Sequence, residues 1–192
     1  MSAPEPLLIA TRNDHKLREF ARLLPGIALD PLPGELDPPE ETGSTYAENA
    51  LIKARAAAGA TGRAAIADDS GIEAAALDGA PGVRSARYAG EHAADGENLA
   101  KLRAEVPEGT ALRYVCVIAR VAPDGAEQLF EGTCEGVMAP DGRGSRGFGY
   151  DPVFVPDDPS AGGRTMAELT DEEKDAISHR GRAARALLAA LG

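Results

Sequence analysis

The sequence predicts a mixed α/β fold. Three observations carry the expectation. The chain opens with an apolar run, a polar loop and then apolar residues at helical spacing. A second helical stretch leads into another apolar run, Ala64-Ala65-Ile66-Ala67. Two alternating segments, residues 113–121 and 128–138, flank the tight turn Pro123-Asp124-Gly125. The first two features are the strand–helix alternation of α/β proteins. The third is an antiparallel hairpin signal, so the sheet is not expected to be purely parallel.

Each element follows from its residues. Leu7-Leu8-Ile9-Ala10 reads as a buried strand, and Leu17, Phe20, Ala21 and Leu24 recur at helical spacing until Pro25-Gly26 stops the helix. Residues 31–43 are rich in proline and acids and read as a loop. Thr45-Tyr46-Ala47-Glu48 has capping-box spacing and opens a helix that Gly59 is expected to end. A strand follows, expected to end at Asp68, with a turn at Gly71. Residues 71–90 are left without assigned elements. Asp95 is a candidate cap for a helix reaching Val106, closed by Pro107. After the hairpin, Val153-Phe154-Val155 reads as a short strand. Thr170-Asp171-Glu172-Glu173 is a second capping box, and residues 182–191 are helical again. There is no internal repeat or long linker, so residues 1–192 are read as one domain, with residues 1–6 as a flexible tail.

Composition narrows the function classes. With 43% hydrophobic and 27% charged residues the chain suits a water-soluble globular protein. A net charge of −11 argues against a general nucleic-acid binder, although local basic clusters at residues 12–18 and 174–185 leave room for a small anion. No apolar run is long enough to span a membrane, and the first residues lack the features of a secretory signal, so the expected location is the cytoplasm. Cys116 and Cys134 match no metal spacing and are read as small buried hydrophobes.

The chemistry concentrates at a few places. Asp68-Asp69-Ser70-Gly71 puts two adjacent carboxylates at the end of a buried run. Buried charges are costly, and adjacent strand residues face opposite sides. The pair suggests a hard cation or a water to be deprotonated; a polar strand end is the plain alternative. Thr11-Arg12-Asn13-Asp14-His15-Lys16 brings hydroxyl, amide and ammonium donors to a helix start, where an anion or an ordinary N-cap would fit. Glu40-Glu41 is a second acidic turn, solvated or directed to the same cation. Phe148-Gly149-Tyr150-Asp151 offers aromatic faces and an acceptor suited to a base, or else core packing. Lys174 and His179 would lie about 140° apart on an unbroken helix, so sharing a ligand requires a break near Ser178. Gly142-Arg143-Gly144-Ser145-Arg146-Gly147 matches a dinucleotide fingerprint in letters only, because it runs toward Pro152 and a strand rather than a helix.

These segments together resemble the Ham1/RdgB family of inosine triphosphate pyrophosphatases, also called non-canonical purine nucleoside triphosphatases. The matching stretches are Ala10-Thr11-Arg12-Asn13 with Lys16, Glu41-Thr42-Gly43 with Thr45 and Glu48-Asn49-Ala50, and Ala67-Asp68-Asp69-Ser70-Gly71. Further matches are Gly79-Ala80-Pro81-Gly82-Val83, Ser85-Ala86-Arg87-Tyr88, Gly147-Phe148-Gly149-Tyr150-Asp151-Pro152 and Ala176-Ile177-Ser178-His179-Arg180-Gly181, all in family order.

The resemblance implies an elongated α/β fold with two lobes flanking an active-site cleft, a homodimer, and Mg²⁺-dependent hydrolysis of ITP, dITP and XTP to the monophosphate and pyrophosphate. By position it implies Asp69 as the metal-linked general base, with Asp68 supporting it. An acid of the Glu40-Glu41 turn is the second metal carboxylate, and the pattern favours Glu41. Thr11, Arg12, Asn13, Asp14, His15, Lys16, Ser70 and Lys174 hold the triphosphate and sugar; Phe148, Gly149, Tyr150, Asp151, His179 and Arg180 hold the base. Arg12 replaces a residue that is often small in the family, so its side chain contributes either nothing beyond the backbone or an added phosphate contact. The expected partner is a small purine nucleoside triphosphate, with no nucleic acid and no membrane. Two other readings are a pyrophosphatase for modified pyrimidines, as in Maf-like proteins, and a nucleotide sensor without hydrolysis.

Overall fold

The computed structural model describes residues 6–191. Apart from Pro6, the expected N-terminal tail lies outside them. The elements are β1 (Leu7–Ile9), α1 (Asp14–Leu23), β2 (Leu29–Pro31), α2 (Tyr46–Thr61), β3 (Ala65–Ala74), α3 (Asp95–Glu105), β4 (Ala111–Val121), β5 (Glu127–Met138), β6 (Phe154–Pro156), α4 (Asp171–Ile177) and α5 (His179–Leu191). The strands form one sheet in the order β2-β1-β3-β4-β5-β6. β1 runs parallel to β2 and β3, while β5 and β6 are antiparallel, so the sheet is mixed as the hairpin implied.

The described residues fall into two compact units. The first draws on residues 6–69, Val117–Glu131 and residues 183–191, the second on Ser70–Cys116 and Gly132–Arg182. The first buries Leu8, Ile9 and Ile66 of the strands, Phe20 of α1 and Leu24 at its C-cap, and the alanine stripe Ala50, Ala54 and Ala57 of α2. Small alanines allow α2 to lie close to its neighbours. The second is built around Ile72, Leu102, Leu112, Tyr114, Phe154 and Met166, with the Tyr114 and Phe154 ring centroids 4.4 Å apart.

Local departures from expectation have physical causes. β3 does not end at Asp68 but continues through Asp69, Ser70 and Gly71 to Ala74, so Gly71 is a strand residue rather than a turn. α2 passes through Gly59 to Thr61 and ends at the left-handed Gly62. A mid-helix glycine costs only about 1 kcal/mol relative to alanine, too little to stop a helix whose alanine stripe is buried. Asp95 is the first residue of α3 rather than its cap; Ala94 holds the cap position, and its N–H donates to Glu97 Oε2 at 2.7 Å. Val153 belongs to a 3-10 turn, Asp151–Val153, and β6 starts one residue later. β2 was not foreseen, being short and ending in proline. Residues beyond β3 form two 3-10 turns, Ala75–Leu77 and Gly82–Arg87.

Candidate active site

In the first unit, Asp68 and Asp69 are successive residues of β3. Both are buried, at 2% and 5% exposure. Asp68 Oδ2 lies 3.0 Å from Lys16 Nζ, in the first turn of α1. Asp69 Oδ2 accepts a 3.0 Å hydrogen bond from Asn49 Nδ2 on α2. One turn further along α2, Lys53 Nζ reaches Glu41 Oε1 at 2.5 Å. Burial alone would lower the Lys53 pKa, but the charges of Asp68, Glu41 and Asp69 outweigh it and hold the ammonium above its ordinary value. The Asp69 pKa is raised as well, which here disfavours the charged form. Burial pushes its pKa up, Lys53 pulls against that, and the Glu41 carboxylate raises it again. Of the two acids in the turn, Glu41 is thus drawn to the Asp pair, while Glu40 is exposed.

The chain after Glu41 is tied to the same point. Gly43 N–H donates to Asn49 Oδ1 at 2.8 Å, so Asn49 links the acidic turn to Asp69. A Cβ at Gly43 would lie 2.6 Å from Glu48 Cβ and 2.7 Å from Asn49 Oδ1, which leaves room only for glycine. The α1 start is an ordinary N-cap in part: Asn13 Oδ1 accepts from the N–H groups of His15 and Lys16 at 2.9 and 3.1 Å. Thr11 Oγ1 accepts from Asn13 N–H, His15 Nδ1 lies 3.0 Å from an Arg18 nitrogen, and Asp14 is exposed. The Arg12 guanidinium is engaged by three backbone carbonyls, those of Leu32, Pro33 and Leu36.

The second unit gathers the other sequence-derived residues. α4 stops at Ser178, whose extended backbone opens α5 and whose Oγ accepts the Gly181 N–H at 3.1 Å. This is the break that the spacing of Lys174 and His179 demanded. Asp151, 2% exposed, is fully engaged: its Oδ2 accepts from Lys174 Nζ at 2.7 Å and from Phe148 N–H at 2.9 Å, and its Oδ1 accepts from Tyr114 O–H at 3.2 Å. A Cβ at Gly147, where φ is +71°, would collide with the Asp151 carboxylate. The His179 ring stacks on Tyr114, centroids 4.5 Å apart and 11° from parallel. Lys174 Nζ and Arg180 Cζ lie 5.2 and 5.6 Å from the Phe148 ring centroid, and Arg180 donates to Ser70 Oγ at 2.8 Å. Tyr150 is buried in the core with its hydroxyl donating to the Ser85 carbonyl, and Gly149 N–H donates to Asp95 Oδ2. Burial, then Asp151, hold the Tyr114 phenol well above its ordinary pKa, so it stays a neutral donor.

Sequence reasoning missed Asn49, Lys53 and Tyr114 as working side chains. For the first two a signal existed: both interrupt the buried alanine stripe of α2, where a polar residue needs a buried partner. Tyr114 looked like any inward aromatic of β4. The glycine-rich segment 142–147 forms no helix; its Ser145 and Arg146 N–H groups donate to the Ala167 carbonyl.

Among the described residues no group of three or more His, Cys, Asp or Glu side chains could hold a metal ion. Glu41 and Asp69 nevertheless form a two-carboxylate oxygen set. Mg²⁺ is commonly bound by one or two carboxylates together with substrate phosphates and water, rather than by a protein cage. Glu41 and Asp69 are the residues here that could hold such an ion.

Known proteins match the chain along nearly its whole length. Residues 7–190 fit the Ham1 family model. The chain belongs to the Ham1 family. It is 50% identical to a dITP/XTP pyrophosphatase of Mycolicibacterium paratuberculosis, over 97% of this chain and 95% of that one. The solved Ham1 protein of Staphylococcus aureus superposes with a TM-score of 0.85 at 41% identity, covering 97% of this chain and 98% of that one. A Ham1 protein from Coxiella burnetii gives 0.84 at 44% identity, with the same coverage. The six-stranded mixed sheet is therefore the architecture of a Ham1 protein.

Proposed function

We propose that this Ham1 protein hydrolyses the non-canonical purine nucleoside triphosphates dITP, XTP and ITP to the monophosphate and pyrophosphate, clearing them from the nucleotide pool. The observation that carries the reading is Asp69: a buried carboxylate with a raised pKa, oriented by Asn49 and flanked by Glu41 and Lys53. Perturbed carboxylates of this kind are candidate general bases. The relatives' names supply the substrate class.

In the proposed reaction Asp69 accepts a proton from a water whose oxygen attacks the α-phosphorus. The bond from that phosphorus to the α–β bridging oxygen breaks, and pyrophosphate departs. Mg²⁺, held by Glu41 and Asp69 when bound with substrate, would offset charge on the phosphate oxygens. Asn49 orients the base, and Asp68 supports the site by fixing Lys16. Lys16 and Lys174 take the phosphate charge, since such transfers depend mainly on positioning and electrostatics. Thr11, Asn13 and Ser70 contribute polar contacts to phosphate and sugar.

Phe148 stacks on the base, and the donors of His179 and Arg180 meet the O6 acceptor of a 6-oxo purine. A donor facing the adenine amino group is penalised, which favours ITP over ATP. The cytoplasmic homodimer remains our proposal from the family resemblance, and the net charge of −11 disfavours a nucleic-acid partner. A panel of triphosphates with Mg²⁺, followed by pyrophosphate release, tests the reading. Turnover of dITP, XTP and ITP well above ATP, dTTP and UTP is expected. Preference for pyrimidines, or binding without release, would overturn it.

A further inference from the structure

Glu41 is carried by a segment with no regular structure of its own: residues 32–43 are neither helix nor strand. A metal-binding carboxylate must nonetheless be held within a fraction of an ångström to be useful, so something else must fix the segment. Packing does so only in part. Between the segment and α2 lies a cavity of about 220 Å³, lined by Leu32, Leu36, Pro38 and Pro39 on one side and by Lys53 and Ala57 on the other. This space is partly open to solvent, so the segment borders a cleft here rather than lying flush on α2 along its whole length.

Lys53 and Asn49 hold the end of the segment at Glu41 and Gly43, and Arg12 constrains its beginning. Its Nη1 donates to the Leu32 carbonyl at 2.8 Å, and its Nη2 donates to the carbonyls of Pro33 and Leu36 at 2.6 and 2.8 Å. The guanidinium is a planar fork, so three acceptors on it are fixed relative to one another and to the start of α1. Beyond Leu36 the chain reads Asp37-Pro38-Pro39-Glu40-Glu41. Each proline fixes its own φ and restricts the residue before it, which makes this stretch a stiff spacer. A position set at Leu36 is thereby transmitted to Glu41, whose carboxylate lies 2.5 Å from Lys53 Nζ.

We propose that Arg12 is a positioning residue: it clamps the 32–36 segment and, through the Pro38-Pro39 spacer, sets the Glu41 carboxylate beside Asp69. Its side chain acts on the protein's own backbone and not on phosphate. The part of this inference that concerns Mg²⁺ rests on the proposed function; the clamp itself does not.

The test uses the full chain with Arg12→Ala, Arg12→Lys and the double variant Pro38→Gly/Pro39→Gly. Backbone amide exchange across residues 32–43 should quicken in Arg12→Ala and stay unchanged in α1 and α2. The Mg²⁺ concentration for half-maximal rate should rise about 10-fold or more, the usual cost of losing a residue that orients a ligand. The nucleotide KM at saturating Mg²⁺ should change much less. Arg12→Lys should be intermediate, since one ammonium replaces a three-way fork. The proline variant should reproduce the metal effect with Arg12 in place. Unchanged exchange would overturn the proposal. So would a nucleotide KM that rises as far as the metal requirement, or a silent proline variant. If Arg12→Ala does not fold, Arg12→Lys and the proline variant decide by the same readouts. If the wild type needs no Mg²⁺, the functional reading fails, and exchange alone settles the clamp.

Discussion

Each unit buries a carboxylate against a lysine, yet the two acids are left in opposite conditions. Asp151 has three donors, Lys174, the Phe148 N–H and the Tyr114 hydroxyl, so its capacity as an acceptor is absorbed by the protein. Asp69 has an amide donor from Asn49, while the nearby ammonium of Lys53 is hydrogen-bonded to Glu41 and a second carboxylate pushes its pKa upward. The same ingredients give an acid saturated with donors in one unit and, in the other, a buried acid crowded by a like charge, the one we propose as the base. A buried carboxylate is therefore read through its burial together with the charges that compete for it.

The largest expected effect separates these roles. Asp69→Asn should lower turnover by ~10²–10⁴-fold, the usual contribution of a positioned general base, while the melting temperature stays close to wild type. Steady-state pyrophosphate release and thermal unfolding measure the two sides. Asp151→Ala should do the reverse in emphasis. It leaves Lys174 buried without its carboxylate, and breaking such a pair costs about 3–5 kcal/mol of stability. Urea unfolding should show this loss; stability within about 0.5 kcal/mol of wild type, the range of ordinary surface changes, would erase the contrast.

The contrast also explains what could be read in advance. Asp68 and Asp69 stood out because two adjacent acids in an apolar run are costly, and strand alternation alone assigned them opposite faces. The serine break was legible because 100° per residue is geometry, not chemistry. Gly71 misled, since glycine signals turns and bulges more often than the middle of a long strand. Asn49 and Lys53 escaped because their partners, Asp69 and Glu41, come from distant parts of the chain. The clamp by Arg12 was invisible for the same reason: its acceptors are backbone carbonyls, which carry no side-chain identity in a sequence.

A smaller effect tests the part in base selection that we propose for the second unit. His179→Ala should reduce the preference for ITP over ATP by about 10-fold, equivalent to one hydrogen bond to the base. Its effect on stability should be modest beside that of Asp151→Ala. Comparing kcat/KM for the two nucleotides checks this, and an unchanged ratio would remove His179 from the base pocket.

The smallest expected effect probes how dry that unit is. Burial pushes the Cys134 thiol up to about 11. The thiolate is the reactive form, so at pH 8 alkylation of the native protein should lag that of the unfolded chain by about two orders of magnitude. The sign for stability follows. The folded state keeps the proton to higher pH, so this contribution is complete below the unfolded thiol's pKa of about 8.5 and is lost as pH rises toward 11. Rapid labelling of native Cys134 at pH 8 would show a wetter core.

The central claim is that water, deprotonated by Asp69, attacks the α-phosphorus. Hydrolysis of dITP in ¹⁸O-labelled water, followed by mass analysis of both products, tests it most directly. The account predicts the label in the monophosphate and none in the pyrophosphate, with formation of both abolished together in Asp69→Asn. Label in the pyrophosphate would place the attack on the β-phosphorus and contradict it.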